Sequence, residues 1–267
     1  TYRLWMTQAT FDLGAGRENA SNEDVDTTFV YGTERVIYNV GAHYGASDNY
    51  TSVMDNPIGR PVGYNLAFPP DEPLLGANGI RLDWPVRDPT IQREHLMYWV
   101  LEQLELPNNY RRYIHFFING VRRKGSNGNL YEDTQRPNGD MLREWYPDDS
   151  DGALYKTDPW FEANAAAAYI RSPLVRPLLK SHEDSTGNKK LAHYRFNWKP
   201  RSVDRTANDY SHVFALIDAA NTPEPGYEAA LGAVVDMDNW MRTFAMNDLA
   251  SFWDSFGNPN SKNAYLY

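Results

Sequence analysis

Alternating apolar and polar residues in the first half of the chain predict β-strands. Residues 27–31 and 35–40 are rich in β-branched and aromatic side chains, and the short Gly-containing segment between them is typical of a hairpin. Residues 64–68 alternate again and stop at two prolines. Residues 114–118 lead into Asn-Gly, the strongest short signal for a tight hairpin turn. The Gly-, Ser- and Asp-rich segment 41–63 is predicted to be a loop.

After residue 88 the spacing of apolar residues changes from alternation to the helical period, which predicts the first helix. Asp88 is a suitable N-cap and Pro89 suits the first helical position, while Pro107 marks the end of the segment. Four apolar residues follow the helical spacing, and we expect them to face the core: Leu96, Trp99, Val100 and Leu104.

Helical spacing dominates the second half of the chain. The segments with this pattern are residues 160–170, 209–220, 224–235 and about 237–252. The last should begin at a cap, Asp236 or Asp238, and bury a face made of Met237, Met241, Ala245, Leu249 and Phe252. Strands followed mainly by helices predict an α+β fold, with a strand-rich part at 25–158 and a helix-rich part at 159–267 of one domain.

The end of the chain is again strand-like. Residues 263–267 alternate aromatic and smaller residues, so the polypeptide is expected to stop within a sheet. This predicts a single domain, residues 1–267, that is truncated at its C-terminal side and belongs to a longer polypeptide.

Composition narrows the possible functions. The 267 residues carry a formal charge of −9 and no cysteine, which excludes disulfide scaffolds, thiolate metal sites and a cysteine nucleophile. An acidic chain in which basic runs are scarce, the clearest being RRK at 122–124, argues against broad nucleic-acid binding. No apolar run reaches the roughly 18 residues of a membrane-spanning helix. The 8 Trp and 18 Tyr supply apolar area while tolerating partly wet surfaces.

Few motifs suggest chemistry. The six histidines form no close pair, so no zinc site is predicted. Residues 147–152 resemble part of a calcium loop through Asp149 and Asp151, but Pro147 stands at position one and Asp158 at position twelve, so an acidic surface turn is the simpler explanation. Residues 253–263 combine Asp254 with several asparagines after a helix, a composition that phosphoryl transfer uses and that an Asx-rich turn also produces.

Three blocks together resemble the CotH (spore-coat protein H) kinase-like family. The first block is residues 36–44, VIYNVGAHY. The second runs from YNLAF at 64–68 through DPTIQRE at 88–94 to HFFING at 115–120. The third extends from residue 236 through WDS at 253–255 to NAYLY at 263–267. The segment YEDTQRPNGD at 131–140 is similar to the branch found in large exported bacterial proteins.

The resemblance implies an atypical, secretory-pathway-kinase-like fold that binds ATP with Mg²⁺ or Mn²⁺ and phosphorylates Ser or Thr of protein acceptors. In such proteins a basic residue on the early strands contacts phosphate and a Glu after the Asn-Gly hairpin orients it. The resemblance gives Asp254 the catalytic and a metal-binding role, and Asn263 the metal-assisting role. It also implies an extracellular or cell-surface location.

The chain departs from the family pattern at the other positions. His43 stands where an Arg is usual, and Gln135 occupies the usual Glu position. The strand at 61–67 has no basic residue, which leaves Arg60 as the nearest substitute. The remaining metal-binding Asp would lie beyond Tyr267.

Three interpretations remain open at this point. The chain is an exported protein kinase, or it is a non-catalytic pseudokinase-like module of a cell-surface or extracellular assembly. The third interpretation is a carbohydrate-binding domain that uses its Trp and Tyr residues. No repeat or sandwich pattern in the sequence supports it.

Overall fold

The computed structural model contains both helices and sheets, which confirms the predicted α+β class. It describes residues 1–16, 23–45, 63–84, 88–124, 130–158, 161–163, 169–171, 176–203, 205–252, 255–258 and 261–267. The described chain divides into two compact units. The first comprises Thr1–Val100, Asn108–Arg136 and Ala163–Tyr169, and the second comprises Leu101–Pro107, Pro137–Glu162 and Ile170–Tyr267.

The first unit is built on a nine-stranded sheet. Its strands are β1 (Tyr2–Trp5), β2 (Val25–Tyr31), β3 (Arg35–Gly45), β4 (Gly63–Ala67), β5 (Gly79–Asp83), β6 (Arg111–Ile114), β7 (Phe116–Ile118), β8 (Val121–Arg122) and β9 (Tyr131–Gln135). Helix α1 (Gln8–Ala15) follows β1, and α2 (Arg93–Gln103) follows β5. The spatial order is β6-β9-β5-β4-β3-β2-β1-β7-β8.

This sheet curls, because one short stretch of chain supplies strands to both of its ends. Strands β6 and β7 are separated only by His115, yet β6 pairs with β9 and β7 pairs with β1. One face of the curled sheet forms the core, since the buried apolar residues of its strands pack together. The largest of them are Tyr2, Phe29, Tyr64, Phe116 and Tyr131.

Two hairpins of the first unit lie where the sequence predicts them. Strands β2 and β3 pair antiparallel across the turn after Tyr31. Asn119 and Gly120 connect β7 to β8 with φ of 49° and 77°, the left-handed conformations that this turn requires. The loop predicted at 41–63 is wrong for residues 41–45, because β3 continues through them and pairs with β4; residues 46–62 lie outside the described part.

Helix α2 also differs from its prediction in the face it presents. Asp88 does cap the segment, accepting hydrogen bonds from the N–H groups of Gln92 and Arg93 at 2.8 Å, although the helix itself begins at Arg93. Leu96 and Trp99, predicted to face the core, are more than half exposed. The helix instead presents Glu94 and His95 to charged residues of the sheet, so its polar side faces inward.

The second unit combines helices with a three-stranded sheet. Its helices are α3 (Gly139–Trp145), α4 (Leu191–Asn197), α5 (Ser211–Ala220), α6 (Tyr227–Gly232) and α7 (Met237–Leu249). Strands β10 (Leu154–Thr157), β13 (Trp198–Ser202) and β14 (Tyr265–Leu266) form the sheet in the order β13-β10-β14. Its core contains Tyr155, Tyr194, Trp198, Tyr210, Val213 and Ile217.

Two predictions for the second half are wrong, whereas the helices predicted at 209–220, 224–235 and 237–252 are present as α5, α6 and α7. Within the predicted helix at 160–170, the described residues form the paired strands β11 (Phe161–Ala163) and β12 (Tyr169–Arg171), because strand pairing overrides local helix propensity there; residues 160 and 164–168 lie outside the described part. The face predicted to be buried is exposed at Met237, Met241 and Leu249 of α7 and at Phe252, which follows the helix, and α7 packs instead through Trp240 and Met246. The cap at Asp236, which accepts from the N–H of Asn239, and the C-terminal strand are as predicted.

A close pair of histidine rings should make the stability of the second unit depend on pH. The rings of His182 and His193 lie 3.7 Å apart between centroids. Burial lowers the pKa of both, and neighbouring Lys190 lowers it further. Since the unfolded chain takes up these protons more readily, protonation of the pair costs no stability above about pH 6.5 and destabilises the unit increasingly as the pH falls below it.

We expect the urea midpoint to decrease between pH 7 and pH 5, and the decrease to be smaller in His193→Gln. His212→Gln, a change at an exposed histidine of α5, should leave the pH dependence as it is. If the urea midpoint of His193→Gln decreases with pH as much as that of the wild type, the pH dependence does not come from this histidine pair.

Candidate functional site

One face of the nine-stranded sheet carries a continuous row of polar side chains. The strand registers place His43 opposite Asn65, Asn65 opposite Arg81, and Arg81 opposite Thr134. Arg111 of β6 continues the row beyond Thr134. Because side chains alternate along a strand, these residues all point away from the core. We call the sheet surface made by these five residues the polar face.

His43 is held firmly at one end of the polar face. Its Nδ1 lies 2.6 Å from Oδ1 of Asp24, and its Nε2 lies 3.0 Å from the side-chain nitrogen of Asn65. With Nδ1–H donating to the carboxylate, Nε2 accepts from the Asn65 amide. Both ring nitrogens are therefore engaged within the protein, and the predicted cofactor-binding role of His43 stays a prediction.

Gln135, the second predicted residue, lies on the opposite face of the sheet. Its partner in the register is Ile80, a core residue, and its backbone is bound through Tyr110 and the side chain of Asn109. The structure therefore does not bring His43 and Gln135 to one surface. The predicted role of Gln135 beside a nucleotide also stays a prediction.

Glu132 is a buried acid on the same side of the sheet as the polar face, where Asp83 of β5 is its register partner. Its side chain is 2% exposed and accepts from Nε and Nη2 of Arg111 at 3.2 and 2.7 Å. Arg111 also contacts Glu94 of α2 at 2.5 Å, and His95 of α2 lies 3.1 Å from Glu132. A basic and an acidic residue are thus paired beneath a helix, an arrangement that sequence reasoning missed.

A second charge cluster lies on the core side of the same strands. Asp133, which is fully buried, accepts from the hydroxyl of Tyr2 at 2.5 Å and from Nε of Arg112 at 2.7 Å. Burial, followed by the nearby Asp133 carboxylate, raises the pKa of Tyr2 well above its ordinary value. These contacts join β1, β6 and β9 where the sheet closes, so their role is structural.

One sequence signal could have revealed both clusters. Arg111 and Arg112 are adjacent on β6, as are Glu132 and Asp133 on β9. Adjacent strand residues point to opposite faces. Arg111 consequently pairs with Glu132 on one face, and Arg112 pairs with Asp133 on the other. Two adjacent basic residues on one strand and two adjacent acidic residues on another therefore indicate one ion pair on each face of the sheet, once the strands are known to be neighbours.

Asn263, the predicted metal-assisting residue, lies in the second unit just before β14. Its φ of 60° is left-handed, a conformation that asparagine tolerates better than most residues. Ala264, the next residue, exchanges hydrogen bonds with Thr157 of β10, and Asp158 follows Thr157 in the chain. The Asp158 carboxylate lies 2.9 Å from Nζ of Lys199. Asn263 itself is exposed, and the strand begins two residues later at Tyr265.

The loop that precedes Asn263 is held by hydrogen bonds of its own. Ser255, which is almost fully buried, donates to the carbonyl of Phe252 at 2.8 Å and accepts from the side chain of Asn258 at 2.7 Å. Phe256 packs against the core residue Trp198. Asp254 itself and Arg60 lie outside the described residues, so their predicted roles are not tested.

The structure adds no support for a calcium site at residues 147–158. The carbonyl of Asp149 accepts from the Tyr267 hydroxyl, and Asp158, the twelfth residue of the motif, pairs with Lys199. Within the described ranges, no group of three or more His, Asp or Glu residues is arranged to hold a metal ion. No helix of the described chain is long and apolar enough to cross a membrane.

Comparison with known proteins adds one match. The family model described as "CotH kinase protein" matches residues 63–267, about three quarters of the chain. The matched range includes β4, β5, the polar face from Asn65 onward, and the segment from residue 253 to the last strand. No curated protein matches the chain.

Proposed function

The chain belongs to the CotH kinase family, and from this membership we propose that it transfers the γ-phosphate of ATP to Ser or Thr of a protein acceptor. The observation that carries the proposal is the family match through residues 253–267, which contain Asp254 and Asn263. The proposal includes an atypical kinase fold, ATP as phosphate donor, Mg²⁺ or Mn²⁺ as the metal, and an exported bacterial protein acting outside the cell or at its surface.

The site chemistry is consistent with this reaction. Phosphoryl transfer depends on positioning and on neutralising the phosphate charge, so it needs few covalent participants. Asp254 would accept the proton of the acceptor hydroxyl, and the amide oxygen of Asn263 is a hard ligand suited to Mg²⁺. The hydrogen-bonded loop at residues 255–258 and the strand that begins after Asn263 hold the two flanks of this segment in place.

A metal-dependence assay tests the proposal directly. The full chain, with γ-labelled ATP and a Ser-rich protein acceptor, should transfer label when Mg²⁺ or Mn²⁺ is present. We expect EDTA to reduce transfer to background, because the metal neutralises charge that develops on the phosphate oxygens. Adding back excess Mn²⁺ should restore it. Transfer at an unchanged rate in EDTA would contradict the mechanism.

One structural observation favours a second candidate, a non-catalytic pseudokinase-like module. Both ring nitrogens of His43 are occupied, and Gln135 lies on the core side of the sheet. Neither residue therefore offers the basic or acidic group that the family pattern has there. ATP binding without label transfer to any acceptor, with either metal, would support this candidate over the kinase.

A further inference from the structure

The outer face of the nine-stranded sheet carries a second row of side chains, on β1, β7 and β8. The strand registers place Arg3 beside Phe117, and Phe117 beside Arg122. Leu4 and Phe116 are core residues, so Arg3 and Phe117, which alternate with them, point away from the core. An aromatic ring therefore lies between two guanidinium groups on the outer side of the sheet.

The contacts that position these two arginines are made with neutral groups. Nη1 of Arg3 donates to the carbonyl of Gly32 at 2.6 Å, and its Cζ lies 5.8 Å from the centre of the Phe117 ring. Nη2 of Arg122 donates to Nδ1 of His115, which as an acceptor belongs to a neutral imidazole. None of these contacts brings a negative charge to a guanidinium group, so none of them reduces its attraction for an anion.

Trp5 and Lys124 extend the same surface. Trp5, two residues after Arg3, is half-exposed, and its Cη2 lies 3.6 Å from the position that a Cβ would take at Gly120. The indole therefore lies beside the turn that joins β7 to β8. Lys124 is exposed and follows Arg122 by two residues. We call the surface made by these five residues the basic–aromatic face: Arg3, Trp5, Phe117, Arg122 and Lys124.

Protection of the sheet edge explains only part of this surface. Strand β8 is the last in the sheet order, and cations on an edge strand discourage pairing with other chains. Edge protection requires no aromatic side chains among the cations, yet Phe117 lies between two arginines and Trp5 is half-exposed beside them. Because aromatic residues and arginine are enriched at the centres of protein interfaces, this composition favours recognition of a partner.

We propose that the basic–aromatic face binds an acidic, extended segment of a partner protein. The inference goes beyond the proposed function, since this binding needs neither ATP nor phosphoryl transfer. A segment with the pattern acid–x–apolar–x–acid places one carboxylate on each arginine and an apolar side chain on Phe117. The planar guanidinium fork matches the two oxygens of a carboxylate.

Strand geometry supports this match. Neighbouring strands lie about 4.8 Å apart, so the backbones of β1 and β8 are about 10 Å apart across β7. Residues i, i+2 and i+4 of an extended segment lie on one side of it and span about 13 Å. The long side chains of Arg3 and Arg122 cover the difference.

A short acidic segment fits this surface better than a nucleic acid. The chain carries 35 acidic and 26 basic residues, so its net charge of −9 repels a polyanion that extends beyond the face. A short segment confines its carboxylates to the area of the two arginines and Lys124. The attraction is therefore local, although the whole chain is acidic.

The test uses fluorescence anisotropy with the full chain and a labelled peptide. In this peptide two glutamates flank one phenylalanine, with one serine in each gap. We expect saturable binding that weakens as NaCl is raised from about 50 to 500 mM, because salt screens exposed charges. A peptide with lysine in place of both glutamates should not bind.

Arg3→Gln and Arg122→Gln should each weaken peptide binding about 3- to 5-fold, as for an exposed ion pair. Together they should weaken it about 10-fold or more, since separate contacts add. Glutamine keeps part of the side chain and an N–H donor, and thermal unfolding checks that both variants fold. Arg143→Gln is the matched control, because it removes the same charge from an exposed arginine of α3. Its peptide affinity should stay within about twofold of wild type.

Each outcome supports or overturns the inference, and none of them depends on kinase activity. A loss of affinity in the two variants of the face, absent in Arg143→Gln, supports it. Failure of the wild type to bind the acidic peptide, or equal binding of the lysine peptide, overturns it. An equal loss in Arg143→Gln also overturns it, since that result reflects net charge alone. If single-stranded oligothymidylate displaces the labelled peptide more effectively than unlabelled peptide does, the surface binds nucleic acid and the inference fails.

Discussion

Asp133→Ala is expected to destabilise the first unit by about 3 kcal/mol, the lower end of the range for breaking a buried ion pair. The carboxylate is fully buried, and it is the acceptor for the hydroxyl of Tyr2 and for Nε of Arg112. Arg112 is 40% exposed and can regain water, which limits the loss. Tyr2 cannot, because it is buried in the core.

The matched control for this substitution is Asp83→Ala. Asp83 is an acid on the neighbouring strand β5, about one-third exposed and only loosely paired with Arg81. A surface pair of this kind contributes about 0–1 kcal/mol, so the control should remain close to wild type. Urea unfolding measures both variants. Equal and small losses would show that Asp133 does not hold the closure of the sheet.

Asp254→Ala is expected to lower the turnover number for phosphoryl transfer by about 10³-fold or more. This is the range for losing a group that accepts a proton in the transition state. If Asp254 acts only as the base, the ATP dissociation constant should change little. If it also binds the metal, ATP affinity should fall as well in the presence of Mg²⁺ or Mn²⁺.

Asp248→Ala provides the control for this second substitution. Asp248 is an exposed acid near the end of α7, six residues before Asp254, and its removal subtracts the same charge. It should keep wild-type turnover. Single-turnover kinetics with saturating ATP distinguishes the two variants, and activity of Asp254→Ala close to that of Asp248→Ala would remove Asp254 from the mechanism.

The candidate site was only partly predictable from sequence. Asp254 and Asn263 follow from a resemblance to a family, which requires no knowledge of which strands are neighbours. His43 and Gln135 follow from the same resemblance, yet they point to opposite faces of the sheet. Arg81 and Glu132 carry no motif, and their position on the same side of the sheet as His43 and Asn65 depends on the order β9-β5-β4-β3.

The sequence by itself determined the local elements that depend on neighbouring residues. These are the hairpin between β2 and β3, the Asn119-Gly120 turn and the cap at Asp236, together with the α+β class and the family. The hairpin, the turn and the cap are encoded by side-chain alternation, by a left-handed turn residue and by a capping hydrogen bond, each within a few residues of the chain.

Only the tertiary structure decided which faces and which charges meet. Helices α2 and α7 expose residues that the apolar spacing assigned to the core, because α2 turns its charged residues toward Arg111 and α7 packs through Trp240 and Met246. The pairing of Arg111 with Glu132, and the loose state of Arg81, depend on strands distant in sequence. A local pattern specifies whether a segment forms a helix or a strand. Which other element that segment contacts is decided by the packing of the whole unit.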